Sequence, residues 1–290
     1  MTALARTLLF TLACTTLSGI PAAARASSWQ DNALSYVHGT EFTEPGNRRE
    51  VRKDIVQFTH ASGYALGQNF FSLKVLRSDA TDPKKGSSRG ATEGYLVYRH
   101  QLHLGKAFER SFAFGPVKEV ALSAGFDLNT KDTAFSPRKR VVVVGPTFKF
   151  DVPGYLDLSL MVGKEWNRCR LGAPICPQRE IGFDPQWMVN VVWGIPFRAG
   201  AVPLQFEGFL AINGEKGRDY AGTKTGTETL MRAALMVDVG QMAWGRKKSL
   251  LVGVGYEYWR NKFGNQTYPD GRALPGIDTD APTLQLAWHF

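Results

Sequence analysis

Apolar and polar positions alternate with a period of two along most of this chain, and the last stretch shows it most plainly. In 281–290, Leu284, Leu286, Trp288 and Phe290 fall on one side, and Gln285, Ala287 and His289 on the other. Such spacing predicts a β-strand with one apolar face. Comparable segments recur between clusters of Gly, Pro, Asp and Asn near 33–42, 52–62, 68–78, 92–104, 117–127, 140–150, 155–165, 183–193, 203–213, 227–239, 249–262 and 282–290. That makes twelve strands. Ten residues at about 3.3 Å each, tilted by roughly 40°, rise about 25 Å, the height of a membrane's apolar band.

The second face of these strands carries charge. Leu156, Leu158, Leu160 and Val162 alternate with Asp157 and Ser159; Leu204, Phe206 and Leu210 alternate with Gln205 and Glu207; Leu235 and Val237 share a segment with Arg232 and Asp238. The interior of a soluble barrel would be filled by the apolar set. Here both charge signs must share one face, and twelve strands enclose a wide bore, so the pattern predicts an all-β, 12-stranded antiparallel transmembrane β-barrel with a wet lumen. Spanning helices are excluded by the lack of a run of 18 apolar residues. The rival is a soluble sandwich with 282–290 as its edge strand.

Loop lengths orient the barrel. Connections near 79–90, 129–138, 167–182, 214–226 and 263–281 are long and polar; 63–67 and 151–154 are tight, and 105–116 is intermediate. Long loops belong outside and short turns in the periplasm. Trp193, Trp244 and Trp288 then sit at periplasmic ends and Trp166 at an outer end, as aromatic girdles would. Pro146, inside the sixth strand, cannot donate to a ladder and predicts a bulge.

Residues 1–26 read as a secretory signal peptide, and 27–290 as the barrel. Arg6 gives the positive start, 7–20 the apolar stretch, and Ala24-Arg25-Ala26 the cleavage site. Cys14 invites a lipoprotein reading, which Thr11 and a shortened apolar stretch oppose. The whole chain has a formal net charge of +9. Residues 1–26 hold Arg6 and Arg25 and no acid, which leaves +7. Export argues against nucleic acid as the partner of this charge and favours lipopolysaccharide phosphates. Two cysteines remain, Cys169 and Cys176, read as one disulfide in an oxidising compartment; a zinc site would need two more ligands, and no His lies near in sequence.

Five local motifs join this pattern: Gly39-Thr-Glu-Phe-Thr-Glu-Pro-Gly46, His60-Ala-Ser-Gly-Tyr64, Gln68-Asn-Phe-Phe71, Phe114-Gly-Pro-Val-Lys-Glu119 and Tyr256-Glu-Tyr-Trp-Arg-Asn-Lys-Phe-Gly264. With Phe290 they resemble the Tsx-like family of nucleoside-specific channel-forming outer-membrane proteins, in the branch labelled outer envelope or nucleoside-binding protein. The resemblance implies a monomeric barrel with a narrow pore passing nucleosides; no cofactor and no metal are expected. It places His38, Glu41 and Phe42, the part around Gly39-Thr-Glu-Phe42 that matches, in the substrate path. The terminal strand resembles the signal read by the barrel-assembly machinery.

A nucleoside presents an uncharged aromatic face and a ribose rich in hydroxyls. By strand parity the lumen side carries groups suited to both: Lys74, Glu93, Tyr95, Arg99, Glu207, Phe209, Arg232, Glu257 and Trp259, with Glu119, Asp127 and Lys149 beside them. The bland reading of each is a solvated wall charge or a cross-lumen ion pair. Two other functions are open: a structural, receptor or general porin barrel without nucleoside selectivity, and an outer-membrane lipid hydrolase built on His60, Ser62 and His100. For the hydrolase no spacing signal places a base beside a nucleophile. His100 and His103 point to opposite faces, which disfavours a shared metal, and Asp278 with Asp280 reads as a solvated loop.

Overall fold

The computed structural model describes residues 28–266 and 274–290; the expected signal peptide and its cleavage site lie outside them. Twelve long strands form the wall: β1 (Trp29–Phe42), β2 (Val51–Tyr64), β3 (Gly67–Ser78), β4 (Thr92–His103), β5 (Val117–Lys131), β6 (Arg138–Phe150), β7 (Tyr155–Arg168), β9 (Gln186–Ala199), β10 (Val202–Asn213), β11 (Glu228–Asp238), β12 (Leu250–Arg260) and β13 (Thr279–His289). A thirteenth, β8 (Glu180–Gly182), is a short hairpin arm added to the outer end of β7.

Each long strand pairs antiparallel with its sequence neighbour, and the sheet closes where β1 meets β13, from Ala33 opposite His289 to His38 opposite Leu284. Closure leaves no long edge unpaired, the condition for a sheet in hydrocarbon. The predicted segments match these strands closely. Pro146 is a correction: β6 keeps one register with β5 and β7 on both sides of it, so there is no bulge. Only the ladder pairs to β7 at Gly145 and Pro146 are missing, and the missing amide donor is absorbed by that gap.

Parity divides the wall as expected. Leu34, Tyr36, Leu73, Val75, Val142, Val144, Leu160, Val162, Leu284 and Leu286 point outward and are exposed. Trp166 and Trp187 flank this belt toward the long loops, and Trp288 and Phe290 toward the short turns. A closed barrel girdled by exposed apolar side chains is built for a bilayer, and this chain is a bacterial outer-membrane β-barrel. No helix among the described residues is long and apolar enough to cross a membrane; the strands do so.

The short-turn end carries Ala65-Leu66, 151–154, Gly200-Ala201, and two short helices, α1 (Leu104–Ala107) and α2 (Val239–Trp244). At the other end a disulfide joins Cys169 to Cys176 in the loop between β7 and β8. Both cysteines are fully buried. Arg170 N–H donates to Phe135 O (2.9 Å), which ties this loop to the one after β5. Closing so short a loop stabilises by roughly 2–3 kcal/mol at most. Cys169→Ser/Cys176→Ser is therefore expected to leave a folded barrel but expose Arg170 and Arg179 to trypsin in proteoliposomes. Unchanged cleavage kinetics would show that the bond does not order the loop.

Candidate functional site

The inward face of this barrel is crossed by charge. Lys74 on β3 and Phe209 on β10 sit on walls six strands apart in a ring of twelve, yet the Lys74 Nζ lies 5.6 Å from the Phe209 ring centroid. The bore is spanned there by two side chains. Around this contact stand Arg232, Glu257, Asp127 and Glu93. Arg232 Nε donates to Glu257 Oε2 (2.6 Å) from the neighbouring strand. On the opposite side Arg99 Nη1 donates to Asp127 Oδ1 (2.6 Å), and Tyr95 Oη to Asp127 Oδ2 (3.1 Å). Gly125 makes the first of these possible: it faces Arg99 in the ladder, and a Cβ there would stand 2.8 Å from Arg99 Cδ and 2.1 Å from Tyr98 O.

Toward the long loops the bore fills. The loop after β1 turns inward, and Glu44 receives Lys53 and, at 2.8 Å, Lys131. Lys131 also meets Asp82 (2.8 Å), whose other contact is the Ser78 hydroxyl (2.7 Å). From the loop between β10 and β11, Lys216 reaches Glu165 on β7 (2.7 Å), which Lys139 approaches at 3.7 Å. Lys262, in the 3₁₀ turn 262–264 after β12, donates to Thr43 O (2.6 Å), lies 4.5 Å above the Trp259 ring and stands 4.0 Å from Glu257. It is aimed inward by two flanking residues in the left-handed region, Asn261 (φ 53°) and Phe263 (φ 61°). Such conformations cost about 1–3 kcal/mol each; here Phe263 N–H is held by Glu228 Oε1 (2.8 Å) and Asn261 N–H by Asp278 Oδ1 (3.0 Å).

Lys262, Glu257, Glu165, Lys216 and Lys53 are only 1%, 2%, 2%, 3% and 5% exposed. Charges so shielded must be neutralised by one another, because removing one partner leaves the other unpaired at several kcal/mol. A uniformly wet lumen is thus corrected: long side chains interdigitate across its outer half. On the inward face Phe70 and Val192 stay 38% and 37% exposed, which marks water-accessible space on the periplasmic side of Lys74 and beside Phe209. There Lys149 pairs with Asp157 (2.5 Å) and Gln101 (3.1 Å), and Glu119 accepts Gly105 N–H (3.1 Å).

Lys74, Glu93, Tyr95, Arg99, Glu207, Phe209, Arg232, Glu257 and Trp259 all lie on the inward face, in register with one another around the ring. Glu93 accepts from Asn129, and Glu207 from Gln205. The Trp259 indole N–H is committed to Glu228 (2.8 Å). The residues in and just before the first motif differ. His38 is on the outer wall, where its Nδ1 meets Asp54 Oδ1 (2.8 Å) beside the Tyr36 hydroxyl, because it shares parity with the exposed Leu34 and Tyr36. Phe42 points inward but is 2% exposed, sealed among Ile55, Leu76 and Ala281 under the Lys53 ammonium. It has no free face for a solute. Glu41 makes no hydrogen bond or ion pair among the described residues and lies next to the register shift between Gly39 and Phe42.

Glu44, Asp82, Lys216 and Lys262 were not singled out. Glu44 and Lys262 fall inside motifs quoted above, but Glu44 is in a loop, where no parity betrays an inward turn, and Lys262 ends the predicted segment 249–262 with parity opposite to Glu257 and Trp259, whereas β12 stops at Arg260 and the chain turns. On the outer wall, His60 Nδ1 meets Asn32 Oδ1 (2.8 Å), while His100 bonds Asn69 (3.0 Å) and the Tyr64 hydroxyl (3.2 Å). Neither histidine is hydrogen-bonded to Ser62, so the arrangement assembles no nucleophile and base.

No family model matches this chain, and no curated protein sequence does. Solved structures similar to it include the KdgM porin (10% identity, 89% of this chain and 99% of that one, TM-score 0.43) and the NanC porin (10%, 88% and 98%, 0.45). The translocator domain of the autotransporter NalP from Neisseria meningitidis is another (12%, 91% and 90%, 0.45). At these values the likenesses speak to neither the lumen nor the cargo of this chain.

Proposed function

We propose that this barrel is a channel through which small polar solutes cross the outer membrane, and that nucleosides are the class its lumen fits best. The observation that carries the reading is the Lys74–Phe209 contact across the bore. A solute passing it must displace an ammonium from an aromatic face, and the solute best able to do so brings an aromatic face of its own. The lumen charges near it are paired, Arg232 with Glu257 and Arg99 with Asp127. Paired charges offer donors and acceptors for ribose hydroxyls without a net field that would select anions or cations. The likeness of the five motifs to Tsx-like channels supports the same reading. The barrel acts as a monomer in this reading, with no cofactor.

The test is single-channel conductance in planar bilayers, with and without adenosine, thymidine, glucose and galacturonate. Nucleosides are expected to reduce ion flow by occupying the pore, glucose less so. Stacking is worth about 1–3 kcal/mol per base, so Phe209→Ala should weaken nucleoside block by about tenfold while leaving glucose unaffected. Equal indifference to all four solutes would replace this reading with a general porin, and no conductance at all with a structural or receptor barrel.

A further inference from the structure

The outer wall holds a second feature that the lumen does not use. At the outer ends of β6 and β7, Arg138, Arg140, Lys164 and Arg168 all have outward parity. Arg140 lies opposite Trp166 in the ladder and Val142 opposite Lys164, so Lys164 and Arg168 are the two diagonal neighbours of Arg140, and Arg138 follows just past the last ladder pair, its N–H donating to Asn167 Oδ1 (3.0 Å). Cross-strand neighbours are about 4.5–5.5 Å apart at Cβ, and residues two apart along a strand about 7 Å. Four cations therefore share a patch little wider than one lipid headgroup, directly above the exposed Val142, Val144, Leu160 and Val162.

Like charges gathered this closely on diagonal positions of a ladder repel one another unless something offsets them. Elsewhere on the outer wall the offset is present: Arg260 pairs with Asp280 (2.8 Å), and Asp54 lies opposite Arg77. On β6 and β7 none of the four forms an ion pair among the described residues. Lys164 donates to Phe183 O and lies 6.0 Å from the Trp166 ring. The acid that comes nearest by register is Glu180 on β8, opposite Arg168, and it too makes no ion pair there. The Arg168 Nε is buried without a hydrogen-bond partner. Arg138 and Arg140 are exposed.

We propose that this patch binds a phosphate group of lipid A in the outer leaflet. The depth fits, since the cations stand where the apolar belt ends and headgroup phosphates begin. Guanidiniums suit the ligand, because their planar forks bind phosphate oxygens in pairs. Trp166, between Lys164 and Arg168, and Trp187, opposite Val162 on β9, give the acyl chains and sugar edge amphipathic surfaces. The lumen is untouched, so this site and the channel reading stand or fall separately.

Native mass spectrometry of delipidated protein titrated with bisphosphorylated lipid A is the test. Wild type is expected to take up one lipid A, and dephosphorylated lipid A or phosphatidylglycerol to bind at least tenfold more weakly. Arg138→Gln/Arg140→Gln/Arg168→Gln should lose about tenfold or more in affinity with single-channel conductance unchanged, and Arg260→Gln should bind as wild type does. Should the triple variant fail to fold, Arg140→Gln alone should still lose severalfold and Arg140→Lys regain part of it. Undiminished binding in the folded variants, or equal binding of phosphatidylglycerol, would overturn the proposal.

Discussion

Glu44→Gln is expected to raise single-channel conductance severalfold by loosening the outer mouth. The glutamine keeps shape and removes charge, which leaves Lys53 without its carboxylate and Lys131 with Asp82 alone. Breaking a buried pair by removing one partner costs about 3–5 kcal/mol, more than an inward-turned loop gains from its few backbone bonds, so the loop should leave the bore. The pH dependence of the unmodified protein gives an independent check. Burial by itself would raise the Glu44 carboxyl, but Lys53, Lys131 and Lys262 outweigh it and hold the group well below the ordinary carboxylate range. A depressed carboxylate contributes its full stabilisation above its unfolded value of about 4.3 and loses it as pH falls toward the folded value. Conductance should be flat from about pH 7 down to about pH 5 and rise only below that. Lys262 acts in the same sense, in a higher pH window. Burial, against the pull of Glu257, brings it down to about 8. Its unfolded counterpart keeps a proton up to about pH 10.4, so this group adds to unfolding free energy as pH rises between those values. A mouth that stays shut in Glu44→Gln would mean that the loop is held by something other than this ion cluster.

The barrel itself was legible because membrane strands obey a rule the sequence cannot hide. Leu156, Leu158, Leu160 and Val162 must face lipid, and their odd-numbered neighbours then face the lumen without further information. The same rule puts Lys74, Tyr95, Arg99, Phe209, Arg232 and Glu257 on the inward face from six separate positions. It says nothing about what meets across the bore. Lys74 and Phe209 are 135 positions apart, and only ring closure makes them neighbours. Loops are a different case. Lys216 sits in a stretch of Gly, Asn, Lys and Glu that reads as solvated; Lys262 ends the predicted segment 249–262, and its inward reach depends on left-handed backbone at Asn261 and at Phe263, a bulky residue that disfavours it. His38 shows the limit of resemblance: a shared motif places a residue in a strand but does not say which side of the wall it takes. Parity with Leu34 and Tyr36 does.

Glu165→Met is expected to be the most damaging single change in the lumen, and its rescue the most informative. Glu165 is the carboxylate on which Lys216 (2.7 Å) and Lys139 (3.7 Å) converge, and neither it nor Lys216 is more than 3% exposed. Removing it leaves two ammoniums without their shared counter-charge, at about 3–5 kcal/mol. It also frees the loop between β10 and β11, which Lys216 anchors to β7, and with it the edge contact of Phe183 with Tyr220 (6.3 Å). The variant should unfold at a markedly lower temperature in heat-modifiability gels. Lys139→Met/Glu165→Met/Lys216→Met removes all three charges while keeping long side chains. Replacing a whole buried triad by apolar residues is often neutral or even stabilising by about 1–4 kcal/mol, so the triple variant should recover most of the lost thermal resistance. The two readouts should then part company. Stability returns, but without an anchored loop the outer half of the bore is no longer held closed, and conductance should exceed that of the unmodified barrel. A triple variant as unstable as the single one would show that Glu165 works through groups beyond its two lysines. One as stable as wild type with unchanged conductance would show that the triad is wall structure and not part of the closure.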